Sequence, residues 1–205
     1  MTRPNQLSAL RILLTPVFVA TFLSERASLQ YASFGVFFLA SLTDWYDGYV
    51  ARRSGSVTVW GKFLDPLADK ILIISALVAL WLRQYVRGWM VLAIALRDVL
   101  VTVLRSYAMF TDRPIQTLPL AKWKTGSQVA AVYLIVLYHM ARIADVREGP
   151  LAVIVGWVEA TALIDKAMTF VTFYTVLTGV VYVVENRGHV RGLAARFFRV
   201  FVPLN

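Results

Sequence analysis

The sequence predicts an all-α, polytopic membrane protein with six transmembrane helices in one domain, residues 1–205. Three observations predict it. Hydrophobic residues make up 59% of the 205-residue chain and charged residues 16%, against about 25% charged in soluble domains. Several apolar runs approach the ~20 residues that cross a bilayer. Most basic residues gather between these runs, where they flank membrane helices and meet anionic lipid. That placement accounts for the net charge of +9 without a nucleic-acid partner. The chain has no cysteine, which excludes disulfides and thiolate chemistry.

The opening "MTRPNQLSALRILLTPVFVATFLS" is basic and then apolar, like a signal peptide, but has no small-residue cleavage site. It reads as a retained first span, residues 9–24, with a short amphipathic lead-in. The further spans fall at 31–53, 66–84, 88–110, 125–141 and 167–184. Breaker residues separate them, as in "RPIQTLP" at 113–119 and "REGP" at 147–150. Segment 151–166 is apolar yet carries Glu159, Asp165 and Lys166. It reads either as an interfacial segment or as an extension of the last span. With the N-terminus inside, twelve Lys and Arg fall on inner segments and five on outer ones, which places both termini in the cytoplasm. Trp45, Trp60, Trp81 and Trp89 fall at the expected interfaces as belt residues. His139 is expected near the outer interface, and the basic tail 187–200 on the lipid surface.

Against this background the stretch "DWYDGYVARRSGSVTVWGKFLDPLADK", residues 44–70, is anomalous, because a carboxylate inside a bilayer is costly. Asp44, Asp47, Gly48 and Ala51 are spaced i, i+3, i+4, i+7 and share one helical face. Asp65 and Asp69 share a face of the next helix. A linker at 54–61, containing Gly55 and Gly61, can fold one helix back beside the other. Four converging carboxylates cannot all ionise without compensation. Two hard divalent cations such as Mg²⁺ or Mn²⁺ solve this, since they take oxygen ligands; zinc or copper does not suit a set without cysteine and with both histidines remote. Gly48 and Ala51 leave a bare helix face, and Arg52 supplies a fork suited to phosphate. Together these features suggest a diphosphate ligand. The competing reading is an ion-pair cluster that merely staples helices, but the acids outnumber the bases on these faces.

The string Asp44-x2-Asp47-Gly48-x2-Ala51-Arg52-x8-Gly61-x3-Asp65-x3-Asp69 resembles the signature of the CDP-alcohol phosphotransferases at eight fixed residues across 26 positions. The resemblance implies a six-span membrane enzyme with a two-metal site open to the cytoplasm, often dimeric. It implies transfer of a phosphatidyl or similar group from a CDP-linked donor to an alcohol, with release of CMP. Carried over residue by residue, Asp44, Asp47 and Asp65 are metal ligands, and Asp69 is both ligand and general base. Gly48, Ala51, Arg52, Thr58, Gly61 and, in the opening "PNQLSALR", Asn5 would line the donor site.

Three shorter pieces are similar to the branch of the family whose donor is CDP-diacylglycerol and whose acceptor is glycerol 3-phosphate. They are "PNQLSALR" at 4–11, "DPLADK" at 65–70 and "AKWKTGSQ" at 121–128. Ala121 stands where that branch usually has glycine, and Asp98 where it usually has glutamate. Some of these pieces also occur in the branch that takes phosphatidylglycerol, so that acceptor and inositol phosphate remain alternatives. A divalent-cation transporter is a rival from another class; it would need acids along a path to both faces.

The residues themselves agree with a phosphorylated acceptor. Arg97 and Arg105 lie within an apolar span, which is costly without anionic partners. Asp98, Thr102 and Arg105 fall on one stripe, so one arginine can pair with Asp98 and leave the other for a ligand. Lys122 and Lys124 sit at the cytoplasmic start of the fifth span. The expected acceptor pocket is therefore Arg105, Lys122 and Lys124, with Arg97 as a weaker member. The expected location is a bacterial cytoplasmic membrane, with a mitochondrial one as the alternative.

Overall fold

The computed structural model describes residues 3–54, 59–110, 119–144 and 148–193. Within the helices, the side chains at 3–6, 44, 45, 47–54, 59–67, 69, 110 and 119–122 lie outside the description. The described chain is all helical: α1 (Arg3–Phe22), α2 (Ala27–Ser54), α3 (Val59–Leu82), α4 (Gly88–Phe110), α5 (Pro119–Ile143), α6 (Pro150–Ala160) and α7 (Leu163–Glu185). A further helical segment follows at 187–193.

Each expected span coincides with a helix, and the differences lie at the boundaries. α1 runs unbroken from Arg3, so the lead-in is the first turns of the same helix and not a separate element. α2 ends at Ser54 and α3 begins at Val59. The connection is thus shorter than 54–61, and Gly61 belongs to α3. The undecided segment 151–166 divides: α6 is a separate short helix, and α7 starts at Leu163. Gly149 (φ 89°) makes the turn into α6, a conformation that glycine adopts without a Cβ clash. Pro150 then opens the helix, where its missing N–H costs nothing. Ala162 (φ 50°) breaks the chain out of α6 before α7.

α1 packs against both α2 and α3, α3 against α4, and α7 against α4 and α5. The core is built from Phe18 and Phe22 of α1, Phe37 of α2, Leu77 and Leu80 of α3, Ile94 of α4, Ile135 of α5 and Met168 of α7. Arg83, just beyond α3, donates from Nη2 to the carbonyls of Phe22 (3.3 Å) and Ser24 (2.7 Å). The Phe22 carbonyl is an orphan of the last turn of α1 and Ser24 lies just beyond it, so the arginine ties the end of one helix to the end of another. α7 turns Thr172, Thr175, Thr178 and Gly179 inward, and small or hydroxylated residues let helices approach closely where lipid supplies no hydrophobic drive.

The outward surface is apolar. Leu13, Val153, Phe170 and Phe173 are each more than 60% exposed, which suits a lipid surround rather than water. By length and composition, α7 is the one described helix apolar enough to cross a membrane by itself. α4 is equally long but carries Arg97, Asp98 and Arg105. Among the described residues, α1, α2 and α3 contribute apolar stretches at 7–22, 27–43 and 70–82.

Candidate functional site

The motif occupies the end of α2 and the start of α3. Asp44, Asp47, Gly48, Ala51 and Arg52 lie on the last turns of α2, and Gly61, Asp65 and Asp69 on the first turns of α3. The two motif halves are therefore regular helix separated by residues 55–58 alone. The side chains of these residues, of Asn5 and of Lys122 lie outside the described ones, as does Thr58 altogether. The donor chemistry of the motif, four carboxylates and no sulfur or imidazole, fits hard divalent cations. Among the described residues no group of three or more His, Cys, Asp or Glu could hold a metal.

Next to the motif, the structure assembles a cluster around Asp98 of α4. Asp98 is 1% exposed. Lys124 Nζ of α5 donates to its Oδ1 at 2.5 Å, Arg97 Nη1 to the same oxygen at 3.1 Å, and Lys70 Nζ of α3 to Oδ2 at 3.3 Å. Three cations thus meet one carboxylate, and helices α3, α4 and α5 are tied at one point. A buried carboxylate is tolerable only when paired and fully hydrogen-bonded, and this one is. Arg97 reaches on to Thr178 Oγ1 of α7 at 3.3 Å, and its Nε is buried without a partner among the described residues. The cluster keeps an excess of positive charge, three cations to one anion, beginning at the residue that follows Asp69.

The expected acceptor residues therefore divide. Arg97 takes the Asp98 pairing that one arginine was expected to take. Lys124 is buried on the same carboxylate, at 1% exposure, and is held by protein rather than open to a ligand. Arg105 is half-buried. Thr102, on the stripe with Asp98, donates to the Asp98 backbone carbonyl at 2.7 Å and not to its carboxylate. Lys70 is the member sequence reasoning missed. Its signal was its position, directly after the last motif aspartate and about 100° round the helix from it, so that it faces a different neighbour. His139, expected near the outer interface, lies at the end of the bundle away from the motif and is buried there, 5% exposed, bonded through Nδ1 to the Tyr85 hydroxyl at 2.8 Å and packed on Phe22.

The sequence profile of the family described as CDP-alcohol phosphatidyltransferase matches residues 1–184. The chain belongs to that family. It is an enzyme of the transferase class, and the family generally uses divalent metals. Among curated relatives, the CDP-diacylglycerol–glycerol-3-phosphate 3-phosphatidyltransferase of Bacillus subtilis (strain 168) is 33% identical over 195 residues, 89% of this chain and 94% of that one. Proteins of the same name from Rickettsia bellii (37% identical, covering 65% of this chain and 74% of that one) and Pseudomonas fluorescens (36%, covering 66% and 72%) are also similar. The match to the Bacillus protein extends over most of both chains and so spans α4 and α5 as well as the motif.

Proposed function

We propose that this chain is a multi-pass membrane enzyme that transfers a phosphatidyl group from CDP-diacylglycerol to glycerol 3-phosphate, giving phosphatidylglycerophosphate and CMP. Family membership and the names of the relatives support the reaction. The observation that carries the acceptor is the cation-rich cluster of Lys70, Arg97 and Lys124 around Asp98, beside the motif. A phosphorylated, soluble acceptor needs positive charge of its own near the donor diphosphate, and a lipid acceptor such as phosphatidylglycerol needs less.

In this reading Asp44, Asp47, Asp65 and Asp69 hold two divalent cations. When bound, these supply charge neutralisation at the donor diphosphate and at the departing CMP phosphate. Gly48 and Ala51 leave room for the nucleotide against α2, and Arg52, Asn5, Thr58 and Gly61 complete the donor site. Asp69 accepts the proton from a hydroxyl of glycerol 3-phosphate, whose oxygen attacks the phosphorus bearing the diacylglycerol group. The phosphoanhydride bond to CMP breaks as the new phosphodiester forms. Arg105 and Lys122 hold the acceptor phosphate, and Asp98 orients Lys124 and Lys70 behind them. Six helices, α1 to α5 and α7, cross the membrane, with the motif at its cytoplasmic side.

The test is CMP release from CDP-diacylglycerol by purified enzyme, with glycerol 3-phosphate, phosphatidylglycerol and inositol phosphate supplied in turn. Release with glycerol 3-phosphate alone is expected. Release with phosphatidylglycerol instead would move the chain to the lipid-acceptor branch.

A further inference from the structure

At the end of the bundle away from the motif there is a cavity of about 620 Å³, within the size range of small-molecule sites. It is lined by the end of α3, the start of α4, the end of α5, and both helices α6 and α7. From Asp69 to Leu82 is thirteen residues of helix, about 20 Å, so this cavity is separate from the proposed catalytic centre. We propose that it binds a monoanionic phosphodiester that also carries hydroxyl groups, the chemistry of a polyol phospholipid headgroup.

Both halves of that ligand have partners on the wall. Arg83, Arg87 and Arg142 supply three guanidinium groups, and Glu159 and Asp165 two carboxylates. The wall is net positive by one charge, which suits a single phosphodiester. The Nε of Arg83 is buried and has no hydrogen-bond partner among the described residues. One of these carboxylates already acts as a hydroxyl acceptor: the Tyr138 phenol donates to Glu159 Oε1 at 2.7 Å. Hydroxyls of a polyol headgroup can use the same oxygens. A purely anionic ligand would meet those two carboxylates, and a cationic headgroup the three arginines, so the mixed lining selects against both.

The rim is adjustable where a ligand must enter. Arg87 pairs with Asp165 at 3.0 Å and Arg142 with Glu159 at 3.6 Å, and all four side chains are about half exposed. Such exposed pairs are weak, so they yield to a better-placed anion. The backbone beneath is held in an uncommon conformation. Gln84 (φ 64°) and Ala162 (φ 50°), the two described non-glycine residues with positive φ, both line this cavity. Outliers of this kind persist where the surrounding structure fixes them, and they gather at ligand clamps.

The experiment uses the full-length enzyme in neutral detergent, titrated with dioctanoyl phosphatidylglycerol, with the water-soluble glycerophosphoglycerol and with dioctanoyl phosphatidylcholine, and followed by the fluorescence of Trp81 on the cavity wall. Saturable binding of phosphatidylglycerol is expected, with the signal absent in Trp81→Phe. Arg87→Gln and Arg142→Gln should each weaken it about ten- to a hundred-fold, the loss of one charge-assisted contact. Arg142→Lys should retain part of it. Lys122→Ala, in the proposed acceptor pocket, should bind like wild type, which separates this site from the catalytic one. Binding of glycerophosphoglycerol as well assigns the site to the headgroup alone; binding of only the lipid adds an acyl contribution. Equal affinity for phosphatidylcholine, or unchanged affinity in both arginine variants, overturns the proposal.

Discussion

Asp98 shows how much one carboxylate can organise. It is buried at 1% exposure and answers Lys70, Arg97 and Lys124 at once. Asp98→Asn removes the charge and leaves three cations facing one another in a low-dielectric interior. Breaking a buried pair from one side typically costs about 3–5 kcal/mol. A clear fall in the thermal midpoint of the detergent-solubilised enzyme is expected, together with a raised KM for glycerol 3-phosphate. An unchanged midpoint would mean that the cluster is not paired in solution. Arg105→Ala and Lys122→Ala should raise the acceptor KM about ten- to a hundred-fold, the worth of one charge-assisted phosphate contact, with the donor KM nearly constant. Steady-state kinetics with both substrates varied separates the cases. The aspartate motif was legible in the sequence because its spacing is helical and its cost in a membrane is high. The fate of Lys124 was not, because a lysine in the second turn of a helix looks the same whether it snorkels to a headgroup or turns inward to a carboxylate on the neighbouring helix.

At the scale of elements, α4 and α7 meet over Gly179. A Cβ built there would lie 2.6 Å from Arg97 Cγ, near the stem of that side chain, where it has little freedom to move aside. Gly179→Ala should push Arg97 off Thr178 and Asp98 and destabilise the bundle by about 1–3 kcal/mol, as overpacking does. Gly156→Ala on α6, where nothing lies within 4 Å, is the control and should be silent. Thermal midpoints of the two variants side by side decide it; equal midpoints would remove Gly179 from the helix contact. The helices themselves were legible from apolar runs of membrane length. Their ends were less so, because polar helical turns around the motif and the opening stretch carry no hydrophobic signal and read as linker. Segment 151–166 resisted for another reason: its break is made by Ala162 in the left-handed region, and alanine carries no local signature of a turn.

The whole molecule is polarised, and the polarity can be read out chemically. Lys and Arg divide twelve to five between the inner and outer segments expected from the sequence, and short loops rich in Lys and Arg stay in the cytoplasm. The motif joins α2 to α3 at one end of the bundle, whereas Glu148, exposed at the start of the turn into α6, belongs to the other. If six helices cross, residue 56 and residue 148 lie on opposite sides of the membrane. The chain has no cysteine, so Ser56→Cys and Glu148→Cys each give a protein with a single thiol and no background. In intact bacterial cells expressing them, a membrane-impermeant maleimide should label Glu148→Cys at once. It should label Ser56→Cys only after the membrane is permeabilised, since that thiol would sit beside the site where CDP-diacylglycerol and a cytoplasmic acceptor meet. The reverse pattern would place the motif outside, away from any supply of glycerol 3-phosphate. Labelling of both thiols in intact cells would break the six-span arrangement itself, because an even number of crossings between α3 and α6 would then separate the two positions.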